Sequence, residues 1–67
     1  MYEVYRSLDN EELLHGDYDK YNRAMREAIY LVRAGLARVA RVRTIHDTKT
    51  VVRGNDGKLY ISGKALK

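Results

Sequence analysis

The chain of 67 residues contains no cysteine and only two histidines, so neither a disulfide nor a structural metal is available to staple it. Its stability has to come from an apolar core, and a domain this short buries only about 60% of the surface its unfolded form exposes. A self-association interface would widen that thin margin. Lack of cysteine suits a reducing compartment, and a cytoplasmic location is expected on that ground. The first twenty residues carry Glu3, Asp9, Glu11, Glu12, Asp17 and Asp19 in place of a basic segment followed by an apolar one. No run approaches membrane-spanning length, so the sequence predicts neither a secretory leader nor a membrane partner.

Catalytic patterns are missing as well. There is no nucleophile elbow, no phosphate-binding glycine loop and no dinucleotide fingerprint. Ser7 and Ser62 have no activating base suggested by the surrounding sequence. Glu11 and Glu12 are adjacent, so on a strand they face opposite ways and cannot share a site as acid and base. His46-Asp47 would need further ligands converging on a metal, and it reads instead as a strand-end histidine beside a turn. A pocket for a small substrate would consume much of so small a core. The expectation is a non-enzyme with no cofactor, no metal and no small-molecule substrate.

What the sequence does have is a steep charge gradient within a net charge of +4. Residues 1–19 hold six acids and a single base, Arg6, whereas residues 20–67 hold twelve Lys or Arg against Glu27, Asp47 and Asp56. The basic part favours phosphates or an acidic protein surface, unless the acidic part folds back and neutralises it.

One domain over residues 1–67 is expected, with no repeat, linker or low-complexity tract. Tyr2–Arg6 alternates like a strand, and Leu8-Asp9-Asn10 supplies a turn from which Glu11–His15 returns as a second strand. A short helix capped by Asp9 competes for the second segment. Gly16 breaks the pattern, Asp17 is placed to cap a helix with Asp19 in its first turn, and Tyr21, Met25, Ala28 and Leu31 or Val32 recur at helical spacing up to a stop at Gly35. Val39–Asp47, Thr50–Arg53 and a strand-turn-strand from Arg53 through Asn55-Asp56-Gly57 to Ile61 complete an antiparallel meander. Ser62–Lys67 reads as a short basic tail. The predicted fold is α+β, one amphipathic helix on an antiparallel sheet of about three to five strands in a ββαβββ-like order. A winged-helix-like arrangement follows only if residues 9–15 are helical.

A single helix covers one face of such a sheet and leaves the other open. With Leu59 and Ile61 turned to the helix, Lys58 and Tyr60 turn away; with Val42 turned in, Arg41, Arg43 and Ile45 turn out, and Tyr5 joins them. Tyr5, Arg41, Arg43, Ile45, Lys58 and Tyr60 thus form the candidate binding surface, offering rings for base stacking and cations for phosphates. Arg23, Arg26 and Arg33 make a second basic surface on the helix, more simply read as a solvated face with Arg23 and Glu27 at i,i+4 spacing. The leading expectation is nucleic-acid association. The alternative is a protein-binding regulator or inhibitor of the phage or mobile-element accessory type, acting as a homodimer, because Tyr and Arg are also the residues of interface hot spots.

Overall fold

In the computed structural model, which describes residues 1–65, the alternating N-terminal segment forms a hairpin. Strand β1 (Tyr2–Ser7) pairs antiparallel with β2 (Glu12–Tyr18). Helix α1 (Tyr21–Arg33) follows, and the chain then runs through β3 (Val39–Arg43), β4 (Thr48–Arg53), β5 (Leu59–Ile61) and β6 (Lys64–Ala65). All six strands make one antiparallel sheet in the order β2-β1-β3-β4-β5-β6, with α1 on one face, so the expected α+β architecture and ββαβββ order are present. The sixth strand comes from the segment read as a tail. Ser62 and Gly63 both take positive φ, 50° and 88°, and this two-residue turn lays Lys64–Ala65 against Tyr60–Ile61. Residues 66 and 67 lie outside the described residues.

Strands β2 and β3 flank β1 from either side, so the connection through α1 has to pass over β1. Packing follows from that path: α1 rests chiefly on β1 and β3. Its Ala24 and Ala28 are fully buried, and their small side chains let the helix approach the sheet closely at Val4, Ala40 and Val42. Leu31, Val32 and Met25 fill the space toward Val51 and Leu59. Tyr2 and Tyr21 meet edge to face with ring centroids 5.7 Å apart and pack, with Tyr18, against this aliphatic core.

The start of the helix differs from the sequence reading. Asp17 lies in β2, which continues past Gly16 to Tyr18, and Lys20 occupies the cap position without a side-chain cap. Asp19 likewise precedes the helix. A side-chain cap is worth about 1 kcal/mol, whereas continuing the strand pairs Tyr18 with Tyr2 and packs both rings on the core, a larger apolar gain. Gly16 does not end the strand, because the register shifts there: Val4 faces Gly16 and Tyr5 faces Leu14, leaving His15 as the extra residue of a bulge. With residues 12–18 in a strand, the winged-helix alternative falls.

At the other end the reading holds. Gly35, at φ 77°, follows the Ala34 cap, with Leu36 N–H donating to the Leu31 carbonyl at 2.9 Å and Gly35 N–H to the Val32 carbonyl at 3.2 Å. This pair of bonds closes the helix, and only glycine takes that φ without strain. The third difference is in the meander, where β3 stops at Arg43 instead of running to Asp47. The Thr44 hydroxyl oxygen accepts the N–H groups of His46 and Asp47 at 3.1 and 2.9 Å, and Thr44 N–H donates to the Asp47 carbonyl at 2.8 Å. Local side-chain bonding of this kind competes with the ladder and wins here.

Candidate functional site

Strand pairing determines which side chains share the open face. Leu14, Tyr5, Arg41 and Thr50 stand in one cross-strand row; Asp17, Glu3, Arg43 and Thr48 stand in the next. A third row runs from Glu12 through Ser7, Val39 and Val52 to Tyr60. The structure therefore brings Tyr5, Arg41 and Arg43 together as anticipated, with the Arg43 guanidinium 5.1 Å from the centre of the Tyr5 ring.

Tyr60 shares that face but not that cluster. Three strand spacings of about 4.8 Å put β5 roughly 14 Å from β1, and Tyr60 stands in the row of Ser7, one row along from Tyr5. The Tyr60 hydroxyl donates to Asp56 Oδ2 at 2.7 Å, and the ring lies over Gly54, where an added Cβ would come within 2.5 Å of Cε1. That bond holds the Asp56 carboxyl below its ordinary range, assisted by the Lys58 N–H, and raises the Tyr60 phenol above its own. Ile45 and Lys58 are not on strands. Early termination of β3 leaves Ile45 88% exposed in the β3–β4 turn, beside Met1, Tyr2 and Tyr21, and Lys58 sits in the turn before β5. Of the six residues read as one surface, three are contiguous.

The acidic N-terminal hairpin also reaches this face. Glu12 of β2 pairs with Arg41 of β3 across β1, and the Tyr5 hydroxyl donates to Glu3 Oε1 at 3.3 Å. Glu3, Glu12 and Asp17 set three carboxylates against the two guanidinium groups, so the strand residues of the open face carry no excess of positive charge. This neutralisation could not be seen without the register that puts Glu12 and Arg41 on the same side of the sheet.

Positive charge collects on the other layer instead. Asn22, Arg23, Arg26, Tyr30 and Arg33 are exposed along the outer side of α1, with Lys20 at its start. Glu27, the one acid on the helix, turns away from Arg23 and toward β2, where its Oε1 lies 3.0 Å from His15 Nε2. The i,i+4 pair expected from spacing is replaced by this contact because the bulge aims His15 at the helix. Among the described residues, no carboxylate lies within salt-bridge distance of Arg23, Arg26 or Arg33. The helix face is an uncompensated row of cations about 15 Å long from Arg23 to Arg33.

Among the described residues, no three His, Cys, Asp or Glu side chains converge as metal ligands, and no helix is long and apolar enough to cross a membrane. No protein-family model, curated protein or solved structure matches this chain.

Proposed function

We propose that this protein is a non-catalytic nucleic-acid-binding module whose contact surface is the outer face of α1. The observation that carries the reading is the row Lys20, Arg23, Arg26 and Arg33, exposed and without acidic partners among the described residues. Cations arrayed along a rigid helix neutralise phosphates and release their counterions, and that release supplies nearly all of sequence-independent affinity. Asn22 and Tyr30 lie among them and add a hydrogen-bonding amide and a half-exposed ring. The sheet face, with Arg41 held by Glu12 and one side of the Tyr5 ring occupied by Arg43, is the weaker candidate for the same ligand.

The test is fluorescence anisotropy of labelled duplex and single-stranded DNA and RNA across a salt series. About 0.9 of slope per phosphate contact predicts a log-log salt slope near −3 to −4 for four cations on duplex DNA. Replacing Arg23, Arg26 and Arg33 together by alanine is expected to reduce the slope to about −1 and abolish binding at physiological salt. The double change Arg41→Ala with Arg43→Ala is expected to leave both nearly unchanged. The opposite pattern, or a strong preference for single strands, would transfer the contact to the tyrosine-bearing sheet. No binding at low salt defeats the reading.

A further inference from the structure

We propose that the open face of the sheet is a dimer interface, on which a second copy of this chain packs after a half-turn about an axis parallel to the strands and midway between β1 and β3. This inference is independent of the nucleic-acid reading, since it uses the opposite layer of the fold.

Charge on this face is divided by side. The charged side chains that β2 and β1 turn to it are the acids Glu12, Asp17 and Glu3, and those of β3 are the bases Arg41 and Arg43. Glu12 and Arg41 pair within the chain. Glu3 and Arg43 are cross-strand neighbours, yet neither has a salt-bridge partner among the described residues: Glu3 accepts the Tyr5 hydroxyl, and Arg43 lies over the Tyr5 ring. One acid and one base thus stay available on a face whose strands carry no excess of positive charge. Such a face suits a copy of itself better than a row of phosphates.

Strand register decides how two copies can meet. The half-turn along the strands keeps every cross-strand row and exchanges the strands, so that β1 lies over β3 of the second copy and β2 over its β4. Glu3 then faces Arg43 of the second copy, Tyr5 faces its Arg41, and Asp17 and Leu14 face its Thr48 and Thr50. No like charges are opposed. A half-turn about an axis across the strands instead lays each strand over itself, and centred on the Tyr5 row it sets Asp17 against Glu12 and Arg41 against Arg41. Like-charge juxtaposition across an interface is costly, so charge selects the first arrangement. Packed sheets cross at about 30°, which displaces the Glu3 row by only a few ångströms, within the reach of Glu and Arg side chains.

Apolar surface adds to the pairing. Leu14, 52% exposed, and the half-buried Tyr5, Val39, Val52 and Tyr60 lie among these charges, and covering them widens the thin margin of so short a chain. The overlap of four strands spans about 19 Å by about 17 Å. That footprint belongs to the small end of specific interfaces, so the dimer is reversible, with dissociation in the micromolar range.

Sedimentation velocity of the full chain from micromolar to millimolar concentration tests this geometry. The expected result is a monomer–dimer equilibrium that Arg43→Glu and Glu3→Arg each weaken by about tenfold or more. An equimolar mixture of those two variants should dimerise like the parent, because both contacts are again between opposite charges. Thr48→Glu serves if either variant fails to fold: position 48 stands beside Arg43 in its own sheet, where an acid favours folding, yet it opposes Asp17 of the second copy and should weaken the dimer. The alanine triple variant of α1 should dimerise like the parent, which separates this interface from the nucleic-acid surface. A protein that stays monomeric at millimolar concentration overturns the proposal. So does a dimer that survives the charge reversals or Thr48→Glu, since it would use another surface, and so does a mixture of the two reversed variants that remains monomeric.

Discussion

The guanidinium of Arg53, on β4, closes the C-terminal end of α1: its Nη2 donates to the carbonyl of Arg33 at 3.1 Å and approaches that of Val32 at 3.5 Å, while Nη1 donates to the Gly57 carbonyl at 2.9 Å. One side chain thereby ties the last helical turn to the β4–β5 hairpin, and a cation at a helix C-terminus is favoured by the dipole as well. The Val32 and Arg33 carbonyls are among those that a helix end leaves without intrahelical donors.

Arg53→Met, which keeps the apolar stem and removes the donors, is expected to destabilise the fold by about 1–2 kcal/mol, at the lower end for charge-assisted bonds because the side chain is exposed. In a domain of this size that is a fall in Tm of roughly 4–16 °C, read by circular dichroism. An unchanged Tm would mean that water replaces the guanidinium without loss.

The second prediction concerns Gly54 and Tyr60. A Cβ at Gly54 would lie 2.5 Å from Tyr60 Cε1 and 2.9 Å from Asp56 Oδ1, and the backbone there is not in the left-handed region, so the obstacle is purely steric. Gly54→Ala should force the ring off the hairpin and destabilise by about 1–3 kcal/mol, the usual range for overpacking. In a Tyr60→Ala background the same change should cost clearly less, since only the close approach to the Asp56 carboxylate remains. A double-mutant cycle by urea denaturation checks this, and additive effects would contradict it.

The third prediction is a pH dependence with two limbs. Tyr60 holds the Asp56 carboxyl below its unfolded value of 3.8, so the contribution of this contact is complete above that value and is lost as pH falls through the lower folded one. The Tyr60 phenol is raised by Asp56, and Tyr18 is raised first by burial and then by the charge of Glu27. Their contributions are complete below the unfolded value of 10.0 and are lost as pH rises through the folded values above it. Thermal melts from pH 2 to 11 should show both declines. Asp56→Asn should flatten the acid limb in part, and Tyr18→Phe should flatten the alkaline one.

Much of the architecture is legible in the order of short β-branched segments, one helical period and a turn glycine. Tyr2–Ser7 alternates, Met25, Ala28 and Leu31 share a helical stripe, and Gly35 stands where the helix stops. Cues of this kind are local, since each depends on residues only a few positions apart. Where local cues competed with long-range contacts, they lost. Asp17 has good capping chemistry, yet it became a strand residue because Tyr18 could pair with Tyr2 and reach the core.

The candidate site shows the same division. Alternation alone placed Tyr5, Arg41, Arg43 and Tyr60 on the open face, and periodicity alone placed Arg23, Arg26 and Arg33 on the outer side of the helix. Composition alone established that no disulfide holds the chain and that its acids crowd toward the N-terminus. Only the tertiary structure decided which charges meet. It brought Glu12 to Arg41 over 29 positions and turned Glu27 toward His15, so that among the described residues the helix arginines have no carboxylate partner and the leucines of β2 flank an edge that no strand pairs. Electrostatic balance depends on distances between groups remote in sequence, and strand order and register determine those distances where spacing along the chain cannot.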